Sequence, residues 1–182
     1  LNTCARCHGI YEKAWSLPNS EQLPRVEQLK TLRVLYPEKT PVRNVGTDPN
    51  RYLGMRSLEQ LNGLEISKKL GIRVAPQKGY VPPPLVGIWA RWPYLHNNSV
   101  PSLCALLTAS KDRPQKYYAG VADNPDLDFD SSCNGYPQGA QIPPAWKKKD
   151  FLYDTTREGM KNSGHDEGIF LEQGKELLSS AQ

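Results

Sequence analysis

The chain has 182 residues, 38% of them hydrophobic, and 23 Lys and Arg against 19 Asp and Glu give it a net charge of +4. That length supports one domain, residues 1–182, with a core of its own. The basic residues are scattered rather than gathered into a stripe with aromatics, which argues against nucleic acid as a partner, and no apolar run approaches the roughly 20 residues of a spanning helix.

The first element is Cys4-Ala5-Arg6-Cys7-His8. Cys-x-x-Cys-His is the attachment sequence of a c-type haem, in which two thiols bond the porphyrin edge and the imidazole reaches the iron. A redox Cys-x-x-Cys would need a strand-helix-strand setting that Leu1-Asn2-Thr3 cannot supply. Such haem is attached outside the bacterial cytoplasm, so a periplasmic or secreted protein is expected. Three residues cannot form the helix that normally precedes such a motif, so the sequence reads as beginning late, with an export signal and at least one helix upstream.

Gly9 to Leu17 reads as a short helix ended by Pro18, and Pro24 suits the first turn of a second, with Val26, Leu29 and Leu32 on its apolar face. Pro37 and Pro41 stop it. Asp48 suits an N-cap and Pro49 a first helical position, which predicts a third helix to about Asn62. Pro82-Pro83-Pro84 makes Tyr80 to Trp92 an extended wall segment, and Ser99 to Leu107 reads as a short helix capped by Ser99. Asp123 to Pro144 looks like a polar surface excursion. Phe170, Leu171, Leu177, Leu178 and Ala181 predict a terminal helix with Gly174 as its weak point and with side chains under-buried for want of an upstream partner. The resulting fold class is mainly α, a loop-rich cytochrome c domain of short helices around one covalently bound haem, with 16 Pro and 14 Gly in the ordered loops.

The stretch Pro84-Leu85-Val86-Gly87-Ile88-Trp89-Ala90, then Pro93-Tyr94-Leu95-His96-Asn97 and Ser99-Val100-Pro101, resembles a signature of the di-haem c-type proteins of the cytochrome c peroxidase-like superfamily. It is most similar to the branch holding the haem-dependent rubber oxygenases. Cys4 to His8, Gly46-Thr47-Asp48-Pro49 and Asn162-Ser163-Gly164-His165 follow the same order. The resemblance implies a C-terminal haem domain whose partner is an N-terminal haem domain of the same parent protein. In the oxygenase branch the C-terminal haem is held between two histidines and passes electrons. In the peroxidase branch it is His-Met ligated and receives electrons from a donor protein. Asn97-Asn98 replaces the family's Asn-Gly, and asparagine tolerates the left-handed turn such a glycine makes.

Cys4 and Cys7 are therefore the thioether positions and His8 the proximal ligand. The sixth ligand comes from His96, His165, Met55, Met160 or nothing. The family match and the glycine-flanked loop favour His165, with Met160 as the alternative and with Asp166 and Glu167 expected to orient the other ring nitrogen. His96, Trp89, Tyr94 and Trp92 are candidates for the haem wall. Cys104 and Cys133 suggest a disulfide, zinc on all four cysteines being the rival. The function expected is electron relay in a di-haem oxygenase- or peroxidase-like parent. The alternatives are a haem centre that itself reduces peroxide or activates dioxygen, and a zinc-stabilised or haem-free interaction domain. Lys147-Lys148-Lys149 reads as a solvated face, with help in docking an acidic redox partner as the other reading.

Overall fold

The computed structural model describes Cys4 and residues 6–12, 18–30, 33–36 and 42–177. The chain divides into two compact units, Leu1–Arg43 with Lys78–Val86, and Asn44–Gln77 with Gly87–Gln182.

In the first unit, strand β1 (Ile10–Glu12) pairs antiparallel with β2 (Arg33–Leu35), Ile10 facing Leu35 and Tyr11 facing Val34. The predicted helix from Gly9 is thus replaced by strand over residues 10–12, and its remainder, 13–17, lies outside the described residues. Ile10 and Tyr11 prefer a pleated surface and find β-branched and apolar partners across the ladder. Helix α1 (Arg25–Lys30) begins where Pro24 predicts, the Pro24 carbonyl accepting from the amides of Glu27 and Gln28. Val26 and Leu29 are exposed on it; Leu32, Pro37 and Pro41 lie outside the described residues. Arg43 and Tyr80 exchange both backbone hydrogen bonds at 2.8 Å, which ties the proline segment to this unit.

The second unit opens with α2 (Asn50–Gly54), which continues as a 3-10 helix over Met55–Gly63. Asp48 accepts from the Asn50 amide at 2.9 Å, so the expected cap chemistry is present. The tightening after Gly54 has a local cause, since the Ser57 hydroxyl donates to the Gly54 carbonyl and competes with the α ladder. The sequence reading passed over α3 (Glu65–Leu70). Helix α4 (Leu103–Leu107) is capped by Ser102, whose Oγ accepts from the Ala105 amide at 3.2 Å. Ser99 was the expected cap, but Pro101 keeps the preceding residue extended and delays the helix. The core is Tyr94, Val100 and Ala105, with Ile88, Trp92, Leu95, Leu103 and Leu106 packed on it. Strands β3 (Lys116–Tyr118) and β4 (Leu152–Asp154) form a second ribbon on which Tyr117 and Tyr153 stack, centroids 5.1 Å apart.

Cys104 and Cys133 form a disulfide, Cα atoms 5.0 Å apart, joining α4 to the polar excursion across 29 residues of sequence. Closing a loop of that length restricts the unfolded chain, so reduction is expected to lower stability by about 2–4 kcal/mol. Urea titrations with and without reductant measure this, a lower midpoint being the expected result.

The predicted terminal helix is absent over the described residues. Leu171–Glu172 (β5) and Lys175–Glu176 (β6) instead form a hairpin around Gln173 and Gly174, with φ of 52° and 74°. Two successive positive φ angles define the turn that matches strand twist, and glycine favours it. Both carboxylate oxygens of Glu167 accept amides of that turn, from Gln173 and Gly174. Phe170 and Leu171, expected to be under-buried, are 7% and 8% exposed. Leu178 and Ala181 lie outside the described residues. Over the described residues the chain is loop-rich with short helices, much of its helix is 3-10, and three two-stranded ribbons accompany it, so mainly α does not describe them. Among the described residues no helix is long and apolar enough to cross a membrane.

Candidate functional site

Cys4, Cys7 and His8 are drawn together by backbone hydrogen bonds. The Cys4 carbonyl accepts from the Cys7 amide at 3.2 Å and from the His8 amide at 2.9 Å. This places Cys4 and Cys7, three residues apart, on one side of the turn. Both thiols are free and half-buried. His8 Nδ1 lies 2.6 Å from the Pro83 carbonyl oxygen. A carbonyl only accepts, so Nδ1 is the donor here, which leaves Nε2 as the nitrogen that can offer a lone pair. Pro83 is held there by its neighbours: the triple proline is confined to extended backbone, Arg43 pairs with Tyr80, and the Tyr36 hydroxyl donates to the Pro82 carbonyl at 3.2 Å. Two free thiols on one turn with an imidazole whose second nitrogen is fixed by a carbonyl fit a c-type haem. The Cys104–Cys133 pairing takes two of the four thiols from the zinc alternative.

The second locus joins the Gly46-Thr47-Asp48-Pro49 and Asn162-Ser163-Gly164-His165 motifs. Ser163 Oγ donates to the Gly46 carbonyl at 2.9 Å, the His165 amide to the Val45 carbonyl at 3.0 Å, and the Lys161 amide to Asp48 Oδ2 at 3.2 Å. Asp48 is 1% exposed, so its carboxylate serves as an internal acceptor for both segments. A Cβ on Gly164, at φ 98°, would stand 2.6 Å from the Thr47 amide nitrogen and 2.8 Å from the Val45 oxygen. Only glycine permits the two segments to approach this closely. His165 itself has a φ of 60° and stacks its ring on Phe170, centroids 5.8 Å apart.

Asp166 and Glu167, next to His165 in sequence, have defined partners of their own. Both Asp166 oxygens are engaged by Ser110, and both Glu167 oxygens by the hairpin turn. Ser110 and Arg113 were missed by the sequence reading. Arg113, 3% exposed, donates to the carbonyls of Ala105, Leu106, Thr108 and Asn162. Nothing in the sequence distinguishes it from the chain's other arginines, because its role rests on burial. Pro83 was legible as extended backbone but not as a hydrogen-bond acceptor.

His96 borders the same locus. Its carbonyl accepts from Arg51 at 3.4 Å, and the Asn97 side chain donates to the carbonyls of Gly159 and Lys161 at 3.2 and 3.0 Å. Burial and the Arg51 charge hold the His96 ring below the usual histidine range, opposed by Asp48. Asn98 takes the left-handed turn expected of it, with φ 59°. Tyr94 is buried at 3% and its hydroxyl accepts from Asn134 Nδ2, which also donates to the Trp89 carbonyl. Trp92 packs between Phe129 and Tyr136, centroids 5.5 and 4.7 Å away. Trp89 is 68% exposed. Met55 is exposed and Met160 half-buried.

Residues 79–118, which carry Pro83, the core Tyr94 and Ser110, match the model of the RoxA-like, cytochrome c-like family. That match supports a cytochrome c-like domain. Two curated proteins of Sinorhizobium fredii (strain NBRC 101917 / NGR234) are similar to this chain. The uncharacterized protein y4iM is 32% identical over 98 residues, 52% of this chain and 21% of that protein. The uncharacterized protein y4iJ is 36% identical over 83 residues, 46% of this chain and 12% of that protein. The chain thus matches about a fifth and an eighth of these relatives' lengths. No solved structure matches.

Proposed function

We propose that this chain is a c-type haem-binding electron-transfer domain of a di-haem oxygenase- or peroxidase-like protein. The observation that carries the reading is the Cys4–His8 turn with His8 Nδ1 held on the Pro83 carbonyl, because it fixes the tautomer a haem ligand requires. Bound there, a c-type haem supplies a one-electron couple. Cys4 and Cys7 would anchor it, with His8 Nε2 as its proximal ligand and His165 as its distal one. Met160 is the alternative distal residue, whose thioether would raise the potential. With His8 and His165 both holding it, the haem would supply electron transfer rather than a binding place for peroxide or dioxygen, so the domain would relay electrons and the chemistry would belong elsewhere in the parent protein.

An N-terminal haem domain of the same parent is the proposed electron partner, and the periplasm or the outside of a bacterial cell the proposed location. Lys147, Lys148 and Lys149 are all exposed and supply a basic face for an acidic redox protein.

The test is export of the chain in a host with haem-attachment machinery. Denatured protein is expected to keep one haem by mass, and Cys7→Ser to leave a single thioether. His165→Ala is expected to convert a low-spin spectrum to high-spin while Met160→Leu leaves it low-spin. Haem lost to acidic organic solvent overturns the attachment, and the reverse pattern in the two variants overturns the bis-histidine assignment.

A further inference from the structure

The His165 loop is gripped from both sides by one short segment. Asp166 Oδ1 accepts from the Ser110 amide at 2.7 Å and Oδ2 from the Ser110 hydroxyl at 2.6 Å. Three residues on from Ser110, Arg113 Nη1 donates to the Asn162 carbonyl at 2.6 Å. The Asp166 carbonyl accepts the amides of Ile169, Phe170 and Leu171, all within 3.1 Å, which sets Phe170 against the His165 ring. Between these anchors His165 holds a φ of 60°, a left-handed conformation that a non-glycine residue keeps only where its surroundings dictate it.

Two bonds to one carboxylate, both charge-assisted, are more than closing a surface loop requires. They act on the residue directly after His165, and they fix the direction in which the chain leaves it. Without them, the backbone relaxes toward the right-handed or extended region that histidine prefers, carrying the ring with it.

We infer that Ser110 and Asp166 are positioning residues that lock His165 as a committed distal ligand, so that the proposed six-coordinate state does not exchange with small exogenous ligands. The inference rests on the proposed haem reading and deepens it. It distinguishes a domain built to hold its sixth ligand from one built to release it on reduction.

The experiment uses the exported, haem-loaded protein and carbon monoxide added to the ferrous form. Wild type is expected to keep its low-spin spectrum and bind carbon monoxide slowly. Ser110→Ala and Asp166→Asn are each expected to bind it about tenfold faster or more, the effect of losing one charge-assisted bond. Ser110→Thr, which retains the hydroxyl, is expected to restore the wild-type rate. Amide exchange of Gly164 and His165 is expected to accelerate in the two disruptive variants only. Ser110→Ala is the milder change and keeps the test valid if Asp166→Asn folds poorly. Variants that match wild type while His165→Ala binds carbon monoxide freely overturn the positioning role and leave the haem reading intact. A His165→Ala protein with an unchanged spectrum and rate overturns the distal assignment, and the positioning role with it.

Discussion

Replacing Arg113 with methionine is expected to destabilise the protein by about 3–5 kcal/mol. Arg113 is 3% exposed and its guanidinium donates to four carbonyls, those of Ala105, Leu106, Thr108 and Asn162. Three belong to α4 and the residue just beyond it, where a helix leaves acceptors unsatisfied and favours a cation. Methionine fills much of the volume but supplies no donor, so four buried or part-buried acceptors lose their partner. Domains of this size are stable by only about 5–15 kcal/mol, and the loss is therefore a large share of the whole. Urea unfolding should show a lower midpoint at unchanged slope. Arg113→Lys is expected to recover only part of the loss, since one ammonium cannot reproduce the planar fork. A midpoint for Arg113→Met within experimental scatter of wild type sinks the account.

Gly164→Ala is expected to cost a similar amount, about 3–5 kcal/mol, for a different reason. The added methyl meets the Thr47 nitrogen at 2.6 Å and the Val45 oxygen at 2.8 Å, both backbone atoms that cannot rotate aside. The φ of 98° adds conformational strain for any side chain. Relief requires parting the 45–48 segment from the 162–165 segment, which breaks the His165 amide's bond to Val45 and the Ser163 bond to Gly46. Gly159→Ala is the control. Its φ is also positive, at 79°, but its nearest contact, Asn50 Nδ2, lies at 3.8 Å, so it bears conformational strain alone, about 1 kcal/mol. Equal midpoints for the two variants would falsify the close-approach argument. In the haem-loaded protein Gly164→Ala is further expected to populate a high-spin fraction that Gly159→Ala lacks.

The loop that holds His165 also shows how far the sequence could be read. Asn162-Ser163-Gly164-His165 and Gly46-Thr47-Asp48-Pro49 stood out as motifs, and the structure packs them together through Ser163, Gly164 and Asp48. Their adjacency was not derivable, because more than a hundred residues separate them and local pattern carries no information on such pairings. Asp166 and Glu167 were read by sequence proximity as partners of the His165 ring. The structure shows their oxygens also serving Ser110 and the Gln173-Gly174 turn, donors that sequence proximity did not reveal. The terminal segment was read as helix from its apolar spacing. Gly174 decided otherwise, a residue that weakens a helix and suits a left-handed turn.

By itself the sequence determined the two thiols and one imidazole that stand together at Cys4, Cys7 and His8, the loop-rich character that 16 prolines and 14 glycines impose, the start of α1 after Pro24 and the left-handed Asn98. Each of these is a property of a few neighbouring residues, set by ring closure, a missing side chain or adjacent donors. Only the tertiary structure decided that Pro83 orients His8, that Cys104 meets Cys133, that Asp166 serves Ser110 and that Arg113 is buried. These depend on which distant backbone groups are shut away from water together and must then satisfy one another, and that is settled by packing rather than by spacing along the chain.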